Sequence, residues 1–521
     1  MNTVTGSPRK TFTNPKQYPI AGSDEERKAF YELQEGFSRQ YEVVFPDKLA
    51  PRTVVILPSL TLDQDILSKI KGAVHYEERM LCLLMLLRMP LTKIIYITSV
   101  PIEDSIIDYY LHLLPGITSH HARKRLTMLS CYDSSTKPLT QKILERPRLI
   151  ERIRKMINDP ASSHLTCYNI TNLEKTLAVR VGIPLFGTDP DKFYEGSKSG
   201  GRKTFRAAGV LLPDGYEDLH SKEDIVGALV LLKRKYPAMR KAVVKMNDGF
   251  SGDGNAMYTY PLVQEGENLE TTIANTLSQQ LKPVAKDVSE ALFFQKFEEM
   301  GGIVEEFLDG DIKMSPSVQC VITPSKQVEI VSTHDQLLGG DDGQIFIGAI
   351  FPAENTYSIP LAAEGKKIAE ELVRKGALGR FAIDFISVKQ EDGSWKHYAI
   401  EINLRKGGTT HPFLMLQFLT DGIYHADTGD YITASGNKRF YFASDNVSND
   451  AYKGLIPDDL IEICIYHGLI YDGAAQEGVM FHLVGALSEF GKLGLVCVGS
   501  SPEKAKEYYD KTISILDLEC I

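Results

Sequence analysis

The fold of this chain is decided by residues 381–412, FAIDFISVKQEDGSWKHYAIEINLRKGGTTHP. Two runs rich in β-branched and aromatic residues flank Asp392-Gly393, which is a strong hairpin signal. With the turn centred on that pair, Asp384 lies opposite Glu401, because each is equally far from the turn. Side chains alternate along a strand, so Asn403 shares the face of Glu401. The stretch therefore predicts a sheet face that carries two carboxylates and an amide.

That face is predicted to hold a metal ion. Two carboxylates directly opposite each other repel unless a cation lies between them. Carboxylate and amide oxygens are hard donors, and together with substrate phosphates they suit Mg²⁺. A solvated acidic face is the simpler interpretation, but Ala382, Ile386 and Ala399 are expected on the same face, so it is not a polar surface. The following residues, 405–408, add cations and a flexible backbone beside the metal.

Size and composition limit the classes of protein that fit. The chain has 521 residues, enough for roughly three domains of ~150 residues. A formal net charge of −10 without a compensating basic domain argues against a nucleic-acid partner. The longest apolar run, near residues 80–87, is far shorter than the ~20 residues of a membrane span. Composition therefore argues against nucleic acid and membrane as partners, and nothing in the sequence indicates an oligomeric state.

The cysteines and the N-terminus bear on location. The seven cysteines are scattered and form no CxxC pair, which fits a reducing compartment and argues against a disulfide scaffold or a zinc knuckle. Residues 1–22 lack acids and an apolar core, so a disordered tail is favoured over a transit peptide. The predicted location is the cytoplasm.

The order of strands and helices predicts a multidomain α/β and α+β chain. Between residues 53 and 170 strands alternate with helices, which predicts an open α/β domain with a parallel sheet. No glycine-rich fingerprint follows its first strand, so no dinucleotide site is predicted there. We divide the chain into a polar tail and helix (1–40), this open α/β domain (41–190), a mixed domain (191–430) and a small C-terminal α/β domain (431–521).

A second candidate site is the stretch KAVVKMNDGFSGDGNAMYTY, residues 241–260. It reads as strand, glycine-rich loop, strand. Gly249, Gly252 and Gly254 let backbone N–H groups approach an anion, and Lys245 can reach a phosphate. An ordinary hairpin loop explains the glycines as well. Because no helix follows directly, this is neither a Walker loop nor a Rossmann turn.

In chain order, these motifs resemble the ATP-grasp fold of biotin carboxylase, the D-alanine–D-alanine ligases and many carboxylate–amine ligases. The string GSK…AAGV (196–210) resembles the start of the nucleotide-binding lid, which gives Lys198, rather than Lys203, the place of the first phosphate-contacting lysine. The stretch VVKMNDGFSGDGN (243–255) then makes Lys245 the second. The resemblance thus implies a lid over about 191–310, followed by the metal-binding part over about 311–430. Under the same resemblance, the region before residue 190 is a pre-ATP-grasp domain.

The resemblance also implies an adenine hinge at VEEFL, residues 304–308. Glu305 would face the adenine amino group, and the backbone of Glu306 and Leu308 would hold the ring edge. Asp309 or Asp311 would reach the ribose. Taken from the residues alone, the same stretch is an ordinary buried strand.

A narrower resemblance is to the pheganomycin-type peptide ligases, which are ATP-grasp enzymes that join an amino acid to a peptide. EINLRKGGTTHPF, SPSVQ, STHDQLLGG and GVMFHLVGALSEFGKLG carry it, and it covers roughly residues 50–520. It implies ATP as cofactor with Mg²⁺, or alternatively Mn²⁺, on Asp384, Glu401 and Asn403.

The implied reaction is amide-bond formation through an acyl phosphate. Lys198 and Lys245 would neutralise the phosphates, and Arg405 would hold the transferred phosphoryl group or the carboxylate. His334 and His411 are placed on the substrate side, although His411 either orients an amine or caps a loop. The alternatives are a small-molecule kinase on the same fold, and a non-catalytic nucleotide sensor or scaffold.

Overall fold

A computed structural model describes residues 18–61, 72–249, 254–262, 268–285, 288–339 and 345–520. The chain forms two compact units, Met1–Pro190 and Asp191–Ile521. Among the described residues, none of the helices combines the length and the apolar character that a membrane crossing requires.

The first unit is built on a four-stranded parallel sheet in the order β3-β2-β1-β4. Its first strand, RTVVIL, is buried along its whole length, as expected of a strand covered on both faces. The prediction of an open α/β domain is confirmed. The strands are β1 (Arg52–Leu57), β2 (Thr92–Thr98), β3 (Leu126–Ser130) and β4 (Ser163–Cys167); the helices are α1 (Asp24–Val44), a 3₁₀ segment (Ala73–Arg88), α2 (Asp104–His112), α3 (Ser119–Arg123), α4 (Leu139–Leu144), α5 (Pro147–Met156) and α6 (Asn172–Val181).

The second unit contains two large sheets. A five-stranded sheet in the order β5-β9-β6-β7-β8 is formed by β5 (Gly215–Leu219), β6 (Lys241–Met246), β7 (Asn255–Thr259), β8 (Leu281–Pro283) and β9 (Gly302–Glu306). Its helices are α7 (Phe193–Gly196), α8 (Lys198–Ala207), α9 (Lys222–Lys235), α10 (Leu269–Gln280) and α11 (Glu290–Met300).

The second sheet has nine strands in the order β10-β14-β11-β12-β13-β18-β20-β19, with β15 paired to β14. Its strands are β10 (Lys313–Met314), β11 (Pro316–Ile322), β12 (Val328–Gly339), β13 (Ile345–Phe351), β14 (Gly379–Lys389), β15 (Trp395–Asn403), β18 (Phe440–Ser448), β19 (Gly478–His482) and β20 (Lys492–Gly499). The ribbon β16 (Ile423–His425) and β17 (Asp430–Ile432) and the helices α12 (Asn355–Arg374), α13 (Thr410–Thr420), α14 (Pro457–Tyr466), α15 (Leu487–Phe490) and α16 (Pro502–Glu519) complete the unit.

The C-terminal strands continue this sheet. β18 pairs with β13, and β20 joins β18 to β19. The domain boundary that we place at residue 430 stays a prediction, and it falls inside one continuous sheet. The prediction of a multidomain α/β and α+β chain is confirmed.

The hairpin β14–β15 has the predicted pairing at the site: Asp384 lies opposite Glu401. The predicted turn is wrong by one residue. Gln390 N–H donates to the Ser394 carbonyl at 2.8 Å, so the turn has three residues, and Gly393 takes the left-handed conformation with φ 84°. A bulge beside Asp384 adds one residue to β15, which restores the predicted register.

The bulge also corrects the expected position of Ala399. That residue pairs with Phe385, and both belong to the hydrophobic core that includes Ile383 and Ile402. Ala399 therefore lies on the core side of the hairpin rather than on the face of the two carboxylates.

Candidate nucleotide and metal site

The two opposed carboxylates influence each other's protonation. Burial, followed by the charge of Glu401, raises the pKa of Asp384 to about 6. Burial alone would raise the pKa of Glu401 too, but Lys198 and Arg405 lower it. The pair thus carries a negative charge that needs cations close by.

Asp384 is held by side chains from neighbouring strands. The Nδ2 of Asn403 donates to its Oδ2 at 2.9 Å, and the Nε2 of Gln336 donates to its Oδ1 at 2.8 Å. The amide oxygen of Asn403 is therefore the atom that the predicted metal site would use. Gln336 on β12 was not singled out from the sequence, although it lies two residues after His334 and so on the same strand face.

This donor set fits Mg²⁺. Within the described ranges, no three His, Cys, Asp or Glu side chains cluster as metal ligands. A site of two carboxylates and one amide leaves coordination positions for phosphate oxygens and water, which is how Mg²⁺ is commonly bound beside nucleotides. The assignment of Asp384, Glu401 and Asn403 as metal ligands stays a prediction.

Lys198 lies directly on this pair, with its Nζ 2.5 Å from the Oε1 of Glu401. It is the first residue of α8, and the helix start is fixed because Lys198 N–H donates to the Asn247 carbonyl at 3.1 Å and Ser199 N–H donates to the Asn247 side chain at 3.0 Å. Lys203, in contrast, pairs with Asp218 at 2.5 Å and its side chain is 45% exposed. The structure thus brings Lys198, and not Lys203, to the carboxylates.

Lys245 approaches from the five-stranded sheet. Its Nζ lies 2.5 Å from the Oε1 of Glu305, and its charge helps lower the pKa of Glu401. The other oxygen of Glu305 accepts from Arg202 at 3.0 Å, and Arg202 also binds Glu217 at 3.1 Å. The two large sheets of this unit therefore meet at one group of charges.

Glu305 has partners that the sequence did not predict. Its carboxylate is 3% exposed and lies between two cations, which a buried carboxylate requires. Sequence reasoning did not predict a role for Arg202. The available signal was its i, i+4 spacing from Lys198 on α8, which places both side chains on one helix face.

The other hinge residues are engaged as follows. The N–H of Glu306 donates to the Asp214 carbonyl at 2.8 Å, and its carboxylate accepts from the Asp214 N–H at 2.8 Å. The carbonyl of Leu308 accepts from the Nζ of Lys313 at 3.1 Å. Asp311 is exposed. The adenine and ribose roles stay predictions, and the N–H of Glu306 is already used within the protein.

Only part of the glycine-rich loop lies within the described residues. Gly252 lies outside the described residues, as do the other residues between 250 and 253. Gly254 is described, and its carbonyl accepts from the Met246 N–H at 2.9 Å, which closes the base of the loop.

Of the three residues placed on the substrate side, Arg405 lies at the site. It is half-buried, and its charge lowers the pKa values of Asp384 and Glu401. His334 does not: it is fully buried with its Nε2 2.5 Å from the Tyr441 hydroxyl, and burial lowers its pKa to about 3. A neutral histidine beneath aromatic rings belongs to the core, so this assignment is wrong.

His411 is also buried, with its Nε2 2.9 Å from the Nε2 of His482 on β19. Its predicted roles, orienting an amine or capping a loop, stay predictions. The sequence alone gave no sign of this partner, which lies 71 residues away.

Comparisons with known proteins agree with this geometry. Residues 262–427, which include the β14–β15 hairpin, match the family "IQCH-like, ATP-grasp". Residues 459–512 match the PGM1 C-terminal domain. The biotin carboxylase domain of the 2-oxoglutarate carboxylase from Hydrogenobacter thermophilus, solved with MgADP, superimposes with a TM-score of 0.52 and 12% identity over 89% of each chain. Biotin carboxylase from Campylobacter jejuni gives 0.51 and 14%, over 87% of this chain and 89% of that one. The chain has the ATP-grasp fold.

Two curated relatives of this ATP-grasp chain cover most of it. The L-propargylglycine–L-glutamate ligase of Streptantibioticus cattleyicolor is 29% identical over 465 residues, which are 88% of this chain and 92% of the relative. IQ motif-containing protein H of Danio rerio is 22% identical over 90% of this chain, which spans about half of that relative's length (49%). The predicted resemblance to ATP-grasp ligases of amino acids is confirmed.

Proposed function

We propose that this chain is an ATP-dependent ligase that joins an amino-acid or peptide carboxylate to an amine through an acyl phosphate. The observation that carries the proposal is the convergence of Lys198 and Lys245, from different elements, on the opposed carboxylates Asp384 and Glu401. The similar L-propargylglycine–L-glutamate ligase is named for joining one amino acid to another. Small-molecule or peptide substrates and a cytoplasmic location belong to the same proposal.

The charges of the site suit phosphoryl transfer to a carboxylate. Asp384, Glu401 and Asn403 would hold Mg²⁺, or alternatively Mn²⁺, which neutralises phosphate charge when bound. Lys198 pairs with Glu401 in the structure. A triphosphate offers this lysine a stronger anion, so its transfer to the phosphates would release Glu401 for the metal.

Lys245 and Arg405 have different tasks. Lys245 forms an ion pair with Glu305, and Arg202 binds the other oxygen of that carboxylate. The ammonium group of Lys245 is therefore held in one orientation. Arg405 lies near the carboxylate pair, and its planar guanidinium can grip a carboxylate or a phosphoryl group through two parallel hydrogen bonds.

The reaction would proceed in two displacements. The substrate carboxylate oxygen bonds to the γ-phosphorus, the bond to the β-phosphate oxygen breaks, and ADP leaves. The amine nitrogen then bonds to the acyl carbon, the carbon–oxygen bond to phosphate breaks, and phosphate leaves while the amine loses a proton. The cations of the site lower the barrier of the first step because two anions must approach each other.

The test is product analysis with ATP, Mg²⁺ and panels of amino acids and short peptides. The expected result is ADP and phosphate in equal amounts with one new amide. A carboxylate labelled with ¹⁸O should pass one label to the released phosphate, because that oxygen bridges carbon and phosphorus. Phosphate retained on the acceptor would instead show a kinase, AMP an adenylating enzyme, and nucleotide binding without turnover a sensor.

A further inference from the structure

The segment that carries Arg405 connects the β14–β15 hairpin to α13. We call residues 405–409 the arginine loop. Its end is closed by two hydrogen bonds: Gly407 N–H donates to the Thr410 hydroxyl at 3.0 Å, and Thr410 N–H donates to the Gly407 carbonyl at 3.1 Å. The side chain of Gln319 donates to the Thr409 hydroxyl. The residue that follows this closed turn is His411.

His411 is tied to the C-terminal strands. It lies in the first turn of α13, and its Nε2 lies 2.9 Å from that of His482 on β19. The two residues are 3% and 1% exposed. A hydrogen bond between two imidazole nitrogens needs one N–H and one lone pair, so one ring donates from Nε2 and the other accepts.

The ring of His482 is fixed by its neighbour on β20. His482 pairs with Gly494, and a Cβ at position 494 would lie only 2.0 Å from the Nε2 of His482. Any side chain there would push the ring away from His411. The glycine is therefore required for the position of His482, and not for a left-handed backbone.

We propose that His482 is a positioning residue of the nucleotide and metal site. Through its hydrogen bond to His411 it holds the start of α13, and thereby fixes the arginine loop beside Asp384 and Glu401. The C-terminal strands would thus complete the site without touching ATP. The effect on turnover rests on the proposed ligase function, whereas the effect on the arginine loop does not.

The test measures backbone hydrogen exchange in the full-length protein over peptides that cover residues 404–412. Asparagine cannot place a polar atom where the Nε2 of His482 lies, but glutamine can. We expect His482→Asn to speed exchange of these peptides at least fivefold and His482→Gln to leave it within twofold of wild type. Gly494→Ala should resemble His482→Asn, although it changes neither histidine.

The matched control is His467→Asn, which removes a 2.8 Å contact with Glu519 in the same C-terminal segment. It should leave exchange of the arginine loop unchanged. Adding His411→Asn to His482→Asn should bring no further increase, because the two rings act through one bond. If His482→Asn does not fold, His482→Gln and Gly494→Ala decide the same question.

Turnover gives the second readout. We expect His482→Asn to lower kcat about tenfold, as the loss of a supporting residue commonly does, with ATP affinity within twofold because Lys198 and Lys245 are untouched. Unchanged exchange in a folded His482→Asn or Gly494→Ala protein would overturn the proposal. If wild type forms no amide but the exchange results appear, the ligase function fails and the positioning role stands.

Discussion

Buried or half-buried carboxylates occur in both units, but their surroundings differ. In the first unit, Glu174 is fully buried and lies in the first turn of α6. One of its oxygens accepts from Thr61 at 2.8 Å, from Ser59 at 3.1 Å and from Thr140. The other accepts from the N–H and the hydroxyl of Thr171, both at 2.7 Å. Five donors from the unit itself satisfy this charge.

In the second unit, Asp384 and Glu401 face each other across two strands. Their donors include a lysine that a phosphate can attract, and burial, followed by the charge of Glu401, raises the pKa of Asp384 to about 6. The difference teaches that burial of a carboxylate does not mark a functional site. Opposed charges whose partners a ligand can replace are the better sign.

The largest effect is expected at Glu401. Glu401→Gln removes half of the opposed pair and a predicted metal ligand, and we expect turnover to fall by about three orders of magnitude, since metal charge stabilisation is worth several kcal/mol. ADP formation measures it. Glu391→Gln, exposed in the turn of the same hairpin, is the control and should retain wild-type turnover. Equal turnover in both variants would contradict the prediction that Glu401 is a metal ligand.

Lys245 tests the half of the site on the five-stranded sheet. Lys245→Met leaves the Glu305 carboxylate to Arg202 and removes one phosphate contact, so we expect ATP affinity to fall about a hundredfold, the cost of one strong charged hydrogen bond. Lys241→Met, at the exposed start of the same strand, should alter affinity less than threefold. Calorimetric titration with ATP and Mg²⁺ compares them, and similar losses in both would show a diffuse electrostatic effect only.

Much of the fold follows from local sequence pattern. The pairing of Asp384 with Glu401 was predictable because alternation and burial fix which residues share a face. The turn length and the bulge were not predictable. Ile400 is the extra residue of the bulge on β15, and nothing in its residue type indicates that role. The two errors cancel at the site, so the predicted register is correct there for an incomplete reason.

The contacts that sequence reasoning missed are distant along the chain. The partner of His334 is Tyr441, 107 residues away, and that of Gln336 is Asp384, 48 residues away. Nothing local distinguishes a histidine beneath core aromatics from one that faces a substrate. Arg202 is different, because its helical spacing from Lys198 was visible in the sequence.

Stability provides the next test of the comparison. Glu174→Gln replaces an acceptor-only group by one with two donors, so at least one partner loses its bond, at a cost of about 1–3 kcal/mol in the unfolding free energy. Hydrogen exchange of β1 and β4 in increasing urea measures this. Glu35→Gln, exposed on α1, is the control. ATP affinity should stay within twofold, and an unchanged stability would mean that Glu174 is not needed by its unit.

The charge of Asp384, in contrast to that of Glu174, should lower the stability of its unit. Because its pKa in the folded protein is about 6, above its ordinary value of 3.8, the native state binds more protons than the unfolded state between these values. Stability of the metal-free protein should therefore fall as pH rises from about 4 to 6. Asp384→Asn removes this pH-dependent loss, so with a chelator its stability relative to wild type should rise by roughly 1–3 kcal/mol between pH 4 and pH 7.

The fluorescence of the single tryptophan, Trp395 at the start of β15, reports unfolding of this hairpin in urea. Asp392→Asn is the matched control in the same hairpin. Hydrogen bonds from Ser394 lower the pKa of Asp392, so its contribution has the opposite sign and is lost as the pH falls. A destabilised Asp384→Asn protein at pH 7 would place Asp384 with Glu174 among carboxylates that hold the fold together, and the contrast between the two units would be lost.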